Sequence, residues 1–173
     1  MRIICVLLLI LISVFLSNCM SVNQSLTPSA NTVVDSFDDS IKVIQKPVSS
    51  ASSINEAWHT LGFRWKSKTP NIVFLDVGTA GTNNVMVVAF NIDGNIVELK
   101  ALSPVTEFED DRSYNTFSMS LDQFRRLATA KVVKMKVESI NEYTVSSFGE
   151  ENKATVNGKF ASFLEQVDAQ TKK

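Results

Sequence analysis

The chain has 173 residues, with 17 Lys and Arg against 18 Asp and Glu, a formal charge of −1, 20% charged and 45% hydrophobic residues. That balance excludes a nucleic-acid binder working by bulk charge and a disordered acidic tail, and the length suits one domain behind a leader. The first element is the apolar run Ile3 to Leu16, 14 residues broken only by Ser13. As a helix it covers roughly 21 Å, short of a hydrocarbon core of about 30 Å. Arg2 and the terminal amine precede it, and small polar residues follow it in place of a stop-transfer cluster of Lys or Arg. Residues 1–18 therefore read as a cleaved export signal rather than a permanent span.

Leu16-Ser17-Asn18-Cys19 closes that run. The tetrapeptide resembles the lipobox of bacterial lipoproteins, where Leu precedes two small residues and a Cys; Asn18 departs from the usual Gly, Ala or Ser. The resemblance implies a diacylglycerol on the Cys19 sulfur, cleavage that leaves Cys19 as the first residue, and acylation of its amine. Cys19 is the expected lipid-attachment residue, and the membrane the expected partner through that lipid. Cysteine usage agrees, because the other cysteine, Cys5, lies inside the leader and Cys19 would otherwise be a lone thiol in an oxidising compartment. Two or three acyl chains hold a protein stably where one does not. By the same resemblance, Met20 in place of Asp after Cys19 points to the outer membrane, in its periplasmic leaflet.

Residues 19–36 are Ser, Asn, Thr, Pro and Val with little to bury, and read as a lipidated N-terminus and flexible tether. Residues 37–173 read as a single globular domain. Ser40 to Lys46 alternates as an edge strand stopped by Pro47, although Val34, Phe37, Ile41 and Ile44 also fit helical spacing. Ser53 and Glu56 form a capping-box pattern for a short helical turn through Trp58. Leu61, Phe63 and Trp65 then alternate on one strand face, and Ile72 to Val77 is a second strand. Val85 to Ile92 and Asn95 to Leu102 flank Asp93-Gly94, a hairpin turn in which glycine takes a positive φ.

Further on, Tyr114 to Ser139 reads strand, helix, strand. Ser120 and Gln123 supply a capping box, Leu121, Phe124, Leu127 and Ala128 a buried helix face, and Arg125 and Arg126 an exposed one. Val133, Met135 and Val137 alternate with Lys134, Lys136 and Glu138 on the next strand. A strand from about Glu142 to Phe148 leads to a last helix with Phe160, Phe163, Leu164 and Val167 on one stripe. This order, a β-meander followed by β-α-β-β-α, implies an α+β fold: a mainly antiparallel sheet with helices packed on one face.

Four patterns suggest chemistry. The Gly-rich stretch GTAGTNN after a strand hints at a phosphate loop, but no Gly-Lys-Ser/Thr follows and the chain continues into a Val-rich strand, so a β connection is expected. In NIDGNIVEL, placing Gly94 at the sixth position of a calcium loop puts Ala89 and Lys100 where acidic ligands belong, so that loop cannot assemble. Glu107, Glu109, Asp110 and Asp111 crowd a short segment opposed by Arg112 alone, and read as a solvated acidic loop. His59 is the chain's one histidine, with no second histidine or mature cysteine to make a metal set or a Cys-His pair, and reads as a structural, hydrogen-bonded group. No residue is assigned as catalytic, cofactor-binding or metal-binding, and no cofactor is implied.

Two functions follow as expectations. The first is a lipid-anchored envelope lipoprotein acting as a non-enzymatic binding or assembly module for an envelope protein, glycan or lipid. The alternative is a lipid-anchored envelope hydrolase of cell-wall or lipid substrates, working through a carboxylate pair or a Ser-based site.

Overall fold

The computed structural model describes residues 27–139 and 142–172. The expected export signal, the expected lipid-attachment residue Cys19 and the first part of the expected tether lie outside the described residues. In chain order the elements are β1 (Asn31–Val34), β2 (Ile41–Ser49), β3 (Thr60–Lys66), β4 (Ile72–Ala80), β5 (Val87–Ile92), β6 (Asn95–Lys100), β7 (Glu107–Glu109), β8 (Arg112–Ser120), α1 (Leu121–Ala128), β9 (Val133–Glu138), β10 (Tyr143–Phe148) and α2 (Asn157–Thr171). The strands form a six-stranded sheet, β1-β2-β3-β4-β8-β7, and a four-stranded sheet, β10-β9-β5-β6. Their pairings are antiparallel, so the fold is α+β with a mainly antiparallel architecture.

Alternation decides which side of the large sheet is buried. Phe63 faces Leu75, which faces Phe117, and Trp65 faces Val73, which faces Met119. All six are at most 4% exposed. Both helices lie on this face: Phe63 has its ring centroid 4.9 Å from Phe124 of α1 and 4.9 Å from Phe160 of α2, with Phe163 at 5.4 Å. Such contacts add about 0.5–1.5 kcal/mol per pair beyond the area they bury. Phe90, Val133, Met135 and Phe148 from the four-stranded sheet join the same apolar cluster.

The capping box of α1 forms as its residues imply, with Ser120 accepting from the Gln123 N–H and the Gln123 side chain accepting from the Ser120 N–H. Asp93 and Gly94 both take positive φ, 47° and 92°, in the turn between β5 and β6. The Asp93 carboxylate also accepts from the Val132 and Lys131 N–H groups, fastening that turn to the start of β9.

Several local readings change once register is known. Pro47 does not end β2: the strand runs to Ser49, and Pro47 sits where the β2–β3 register shifts between Gln45 and Val48. A bulge tolerates a residue with no N–H, and Gly62 on β3 makes room, since a Cβ there would lie 2.9 Å from the Pro47 ring. Nor is β2 an edge strand, because β1 pairs along its outer side. β1 falls inside the stretch that composition assigns to the tether; strand pairing is made by backbone groups and does not require a buried side chain. Upstream of it, the Thr27 carbonyl accepts from Lys159 and the Pro28 carbonyl from Gln45. Ser53 and Glu56 form a turn, with the Glu56 carboxylate turned instead to Ser52 and to the Ser147 N–H of β10.

Candidate binding cleft

The outer face of the six-stranded sheet, opposite the helices, holds a cleft of about 730 Å³. Its floor is built from residues that alternate outward on three neighbouring strands. Arg64 of β3 donates through Nη2 to Asp76 Oδ1 of β4 at 2.6 Å and to Thr116 Oγ1 of β8 at 3.0 Å. Thr116 in turn donates to Asp76 Oδ1 at 2.9 Å, closing a triangle. Asp76 lies directly across from Gly62, two residues from Arg64, so the ion pair is diagonal and passes over a position with no side chain. Half-exposure keeps this pair wet, at 38% for Arg64 and 22% for Asp76.

A second glycine shapes the wall. A Cβ on Gly78 would come within 2.5 Å of the Tyr114 ring and 2.4 Å of Thr60 Oγ1, so Tyr114 rests on bare backbone. One end of the cleft carries Lys46 and Arg64, from β2 and β3. The other carries Glu107 and Glu109, from β7, with Val105 and Phe108 beside them, 68% and 59% exposed. Among the described residues, Lys46, Glu107 and Glu109 have no ion-pair partner.

The histidine lies elsewhere, sealed between the β2–β3 connection and the inner face of the four-stranded sheet. His59 has no exposed surface. Its Nδ1 is 3.0 Å from Ser146 Oγ and its Nε2 2.8 Å from Thr144 Oγ1, both on β10. Ser146 continues the chain of hydroxyls to Ser50 at 3.1 Å, and Ser50 Oγ donates to the His59 carbonyl at 3.2 Å. Burial pushes the imidazole down to about 4, only partly offset by the nearby Glu56 carboxylate. At neutral pH the ring is uncharged, donating from one nitrogen and accepting at the other. Burial would raise Glu56, but hydrogen bonds from Ser52 and Ser147 outweigh it and hold the carboxyl below its ordinary value.

The other sequence patterns take structural places. Two N–H groups of the Gly-rich loop are spent on the protein itself, Gly81 donating to the Asp111 carbonyl and Asn83 to Ser113 Oγ, and just after the loop Val85 donates to Thr106 Oγ1. The acidic segment folds into β7 and a tight turn to β8, with Asp110 and Asp111 both at positive φ, 48° and 58°. Among the described residues no group of three or more His, Cys, Asp and Glu side chains is placed to hold a metal ion. Arg126 is exposed, and the partly exposed Arg125 makes a two-pronged ion pair with Asp168 of α2. Lys136 pairs with Glu138 and lies 5.6 Å from the centre of the Tyr143 ring.

Sequence reading did not single out Arg64, Asp76 or Thr116. Its one available signal was a charge at an outward position of each of two apolar strands, LGFRWK and IVFLDV. Comparison with protein-family models, curated proteins and solved structures returns no match to this chain.

Proposed function

We propose that this protein is a lipid-anchored cell-envelope lipoprotein, held at the outer membrane through Cys19, that acts as a non-enzymatic binding module. The observation that carries the binding role is the cleft on the six-stranded sheet. Its floor charges are fixed by the Arg64–Asp76–Thr116 triangle, and its two ends keep charged groups free. A preorganised polar floor with exposed apolar residues at the rim suits recognition of a partner that is itself partly charged. The chain's one imidazole is enclosed away from that floor and held between two hydroxyls, which favours a structural part for it.

Two measurements test the proposal. Intact-mass analysis of the mature protein should show loss of residues 1–18 and added acyl mass, both abolished in Cys19→Ala. Recovery of the full-length protein from detergent-solubilised membranes should bring down an envelope component that Val105→Trp, which fills the cleft from an exposed loop, no longer captures. Repeated recovery of the protein alone would sink the binding role.

The hydrolase alternative draws on one contact, Thr144 Oγ1 beside His59 Nε2 at the margin of a small pocket of about 200 Å³. It requires ester turnover that disappears in Thr144→Val.

A further inference from the structure

The folded part of the chain begins earlier than composition implies, and that limits how far the domain can stand from its anchor. Three side chains grip the segment ahead of β1: Lys159 Nζ donates to the Thr27 carbonyl at 3.0 Å, Gln45 Nε2 to the Pro28 carbonyl at 3.0 Å, and Gln166 Nε2 to the Ala30 carbonyl. Lys159 stands in the first turn of α2 and Gln166 about two turns further on, so from Ala30 back to Thr27 the chain runs toward the start of that helix. Cys19 is eight positions before Thr27. At no more than about 3.6 Å per residue, a lipid on Cys19 lies within roughly 29 Å of Thr27 whatever path the link takes.

The β2–β3 connection is rooted at the same place. Val156, just before α2, donates its N–H to the Ser49 carbonyl at the end of β2. From there the connection carries Ile54, 86% exposed, and Trp58, 58% exposed, whose indole N–H has no hydrogen-bond partner among the described residues. Its one acidic residue, Glu56, spends its carboxylate on Ser52 and on the Ser147 N–H. Glu150 and Glu151 against Lys153, all exposed in the loop leading into α2, leave one net negative charge, so apolar contact and not charge governs this approach. Phe37 is exposed too, but it lies beyond the far end of β1, in a turn with Asp35, Asp38 and Asp39.

We propose that the β2–β3 connection seats on the bilayer surface, with the Ile54 side chain and the Trp58 ring in the interfacial layer, so that this loop and the lipid on Cys19 together fix how the domain faces the membrane. Trp suits that layer because its apolar ring carries one N–H that can donate to a headgroup oxygen. Two side chains suffice because a short link holds the loop at high effective concentration beside the lipid. This assignment rests on the proposed lipid anchor.

The test uses the chain's two tryptophans. Trp65 is 1% exposed and donates to the Pro70 carbonyl, so Trp58 alone can meet lipid. Full-length protein purified from membranes is reconstituted in phosphatidylcholine vesicles with and without bromine on the acyl chains, which quenches an indole in contact with it. Bromine should remove the Trp58 share of the emission and leave that of Trp65. Trp58→Phe should abolish the quenching, Ile54→Asp should weaken it severalfold, and Phe37→Ser should leave it unchanged. The intact-mass measurement decides the anchor separately: if acyl mass is present and bromine does not quench Trp58, the seat is wrong and the anchor stands, whereas if acyl mass is absent the anchor is wrong and the seat falls with it. Trp58 shielded from aqueous iodide in native membranes but open to it on vesicles of pure lipid would mean that a protein partner covers the loop, and overturns the lipid seat.

Discussion

The cleft on the large sheet and the sealed histidine against the small one use similar parts, hydroxyls beside an ionisable group, to opposite ends. In the cleft, Thr116 supports an ion pair that water still reaches. Around His59, Ser146 and Thr144 hold a ring that water does not reach, and desolvation makes the neutral form the stable one. The difference teaches that solvent access, more than the identity of the polar groups, decides whether a cluster offers recognition or rigidity.

The largest expected effect breaks the sealed cluster. His59→Ala leaves the buried hydroxyl of Ser146 and the half-buried one of Thr144 without their partner and opens a cavity, and should cost about 3–5 kcal/mol in denaturant unfolding. A loss below about 1 kcal/mol would mean that the ring is not sealed.

Acid sharpens the same contrast without mutation. The folded imidazole titrates at about 4 and the unfolded one near its ordinary 6.5, so unfolding takes up a proton between those values. The stability His59 permits is fully present above pH 6.5 and declines as pH falls toward 4, by roughly 3 kcal/mol in total. Unfolding followed across that window should show this slope, and His59→Gln should flatten it.

In the cleft, by contrast, Thr116→Val removes one corner of the triangle while water remains to solvate Asp76. It should cost only about 1 kcal/mol in the same unfolding assay. Smallest of all, Lys46→Gln should leave stability within about 0.5 kcal/mol, because the side chain is exposed and unpaired; a larger loss would show that Lys46 serves the fold and not a ligand.

Parts of this architecture are legible from residues alone. Leu61, Phe63 and Trp65 announce β3, Ser120 and Gln123 announce the start of α1, and Asp93-Gly94 announces a turn, because each depends on neighbours within one turn or one strand. Pro47 misleads for the same reason: a local rule ends a strand at proline, whereas the bulge that admits it needs Gly62 on another strand. The ion-pair partner of the partly exposed Arg125 is hidden for the same reason, since Asp168 is 43 positions away. None of the triangle's three members is informative singly, and the cleft becomes readable only when register brings β3, β4 and β8 side by side.

From sequence alone came the fold class and most elements, along with an expectation of export and lipid attachment. Periodicity, capping and turn chemistry act over a few residues, and so they are written locally. Tertiary structure alone decided that the strands divide into two sheets, that His59 is sealed, and that Lys46 and Glu107 stand at opposite ends of one cleft. The reason is physical: register and sheet curl are set by the combined packing of distant segments, and charge acquires a direction only after that packing fixes where each group stands.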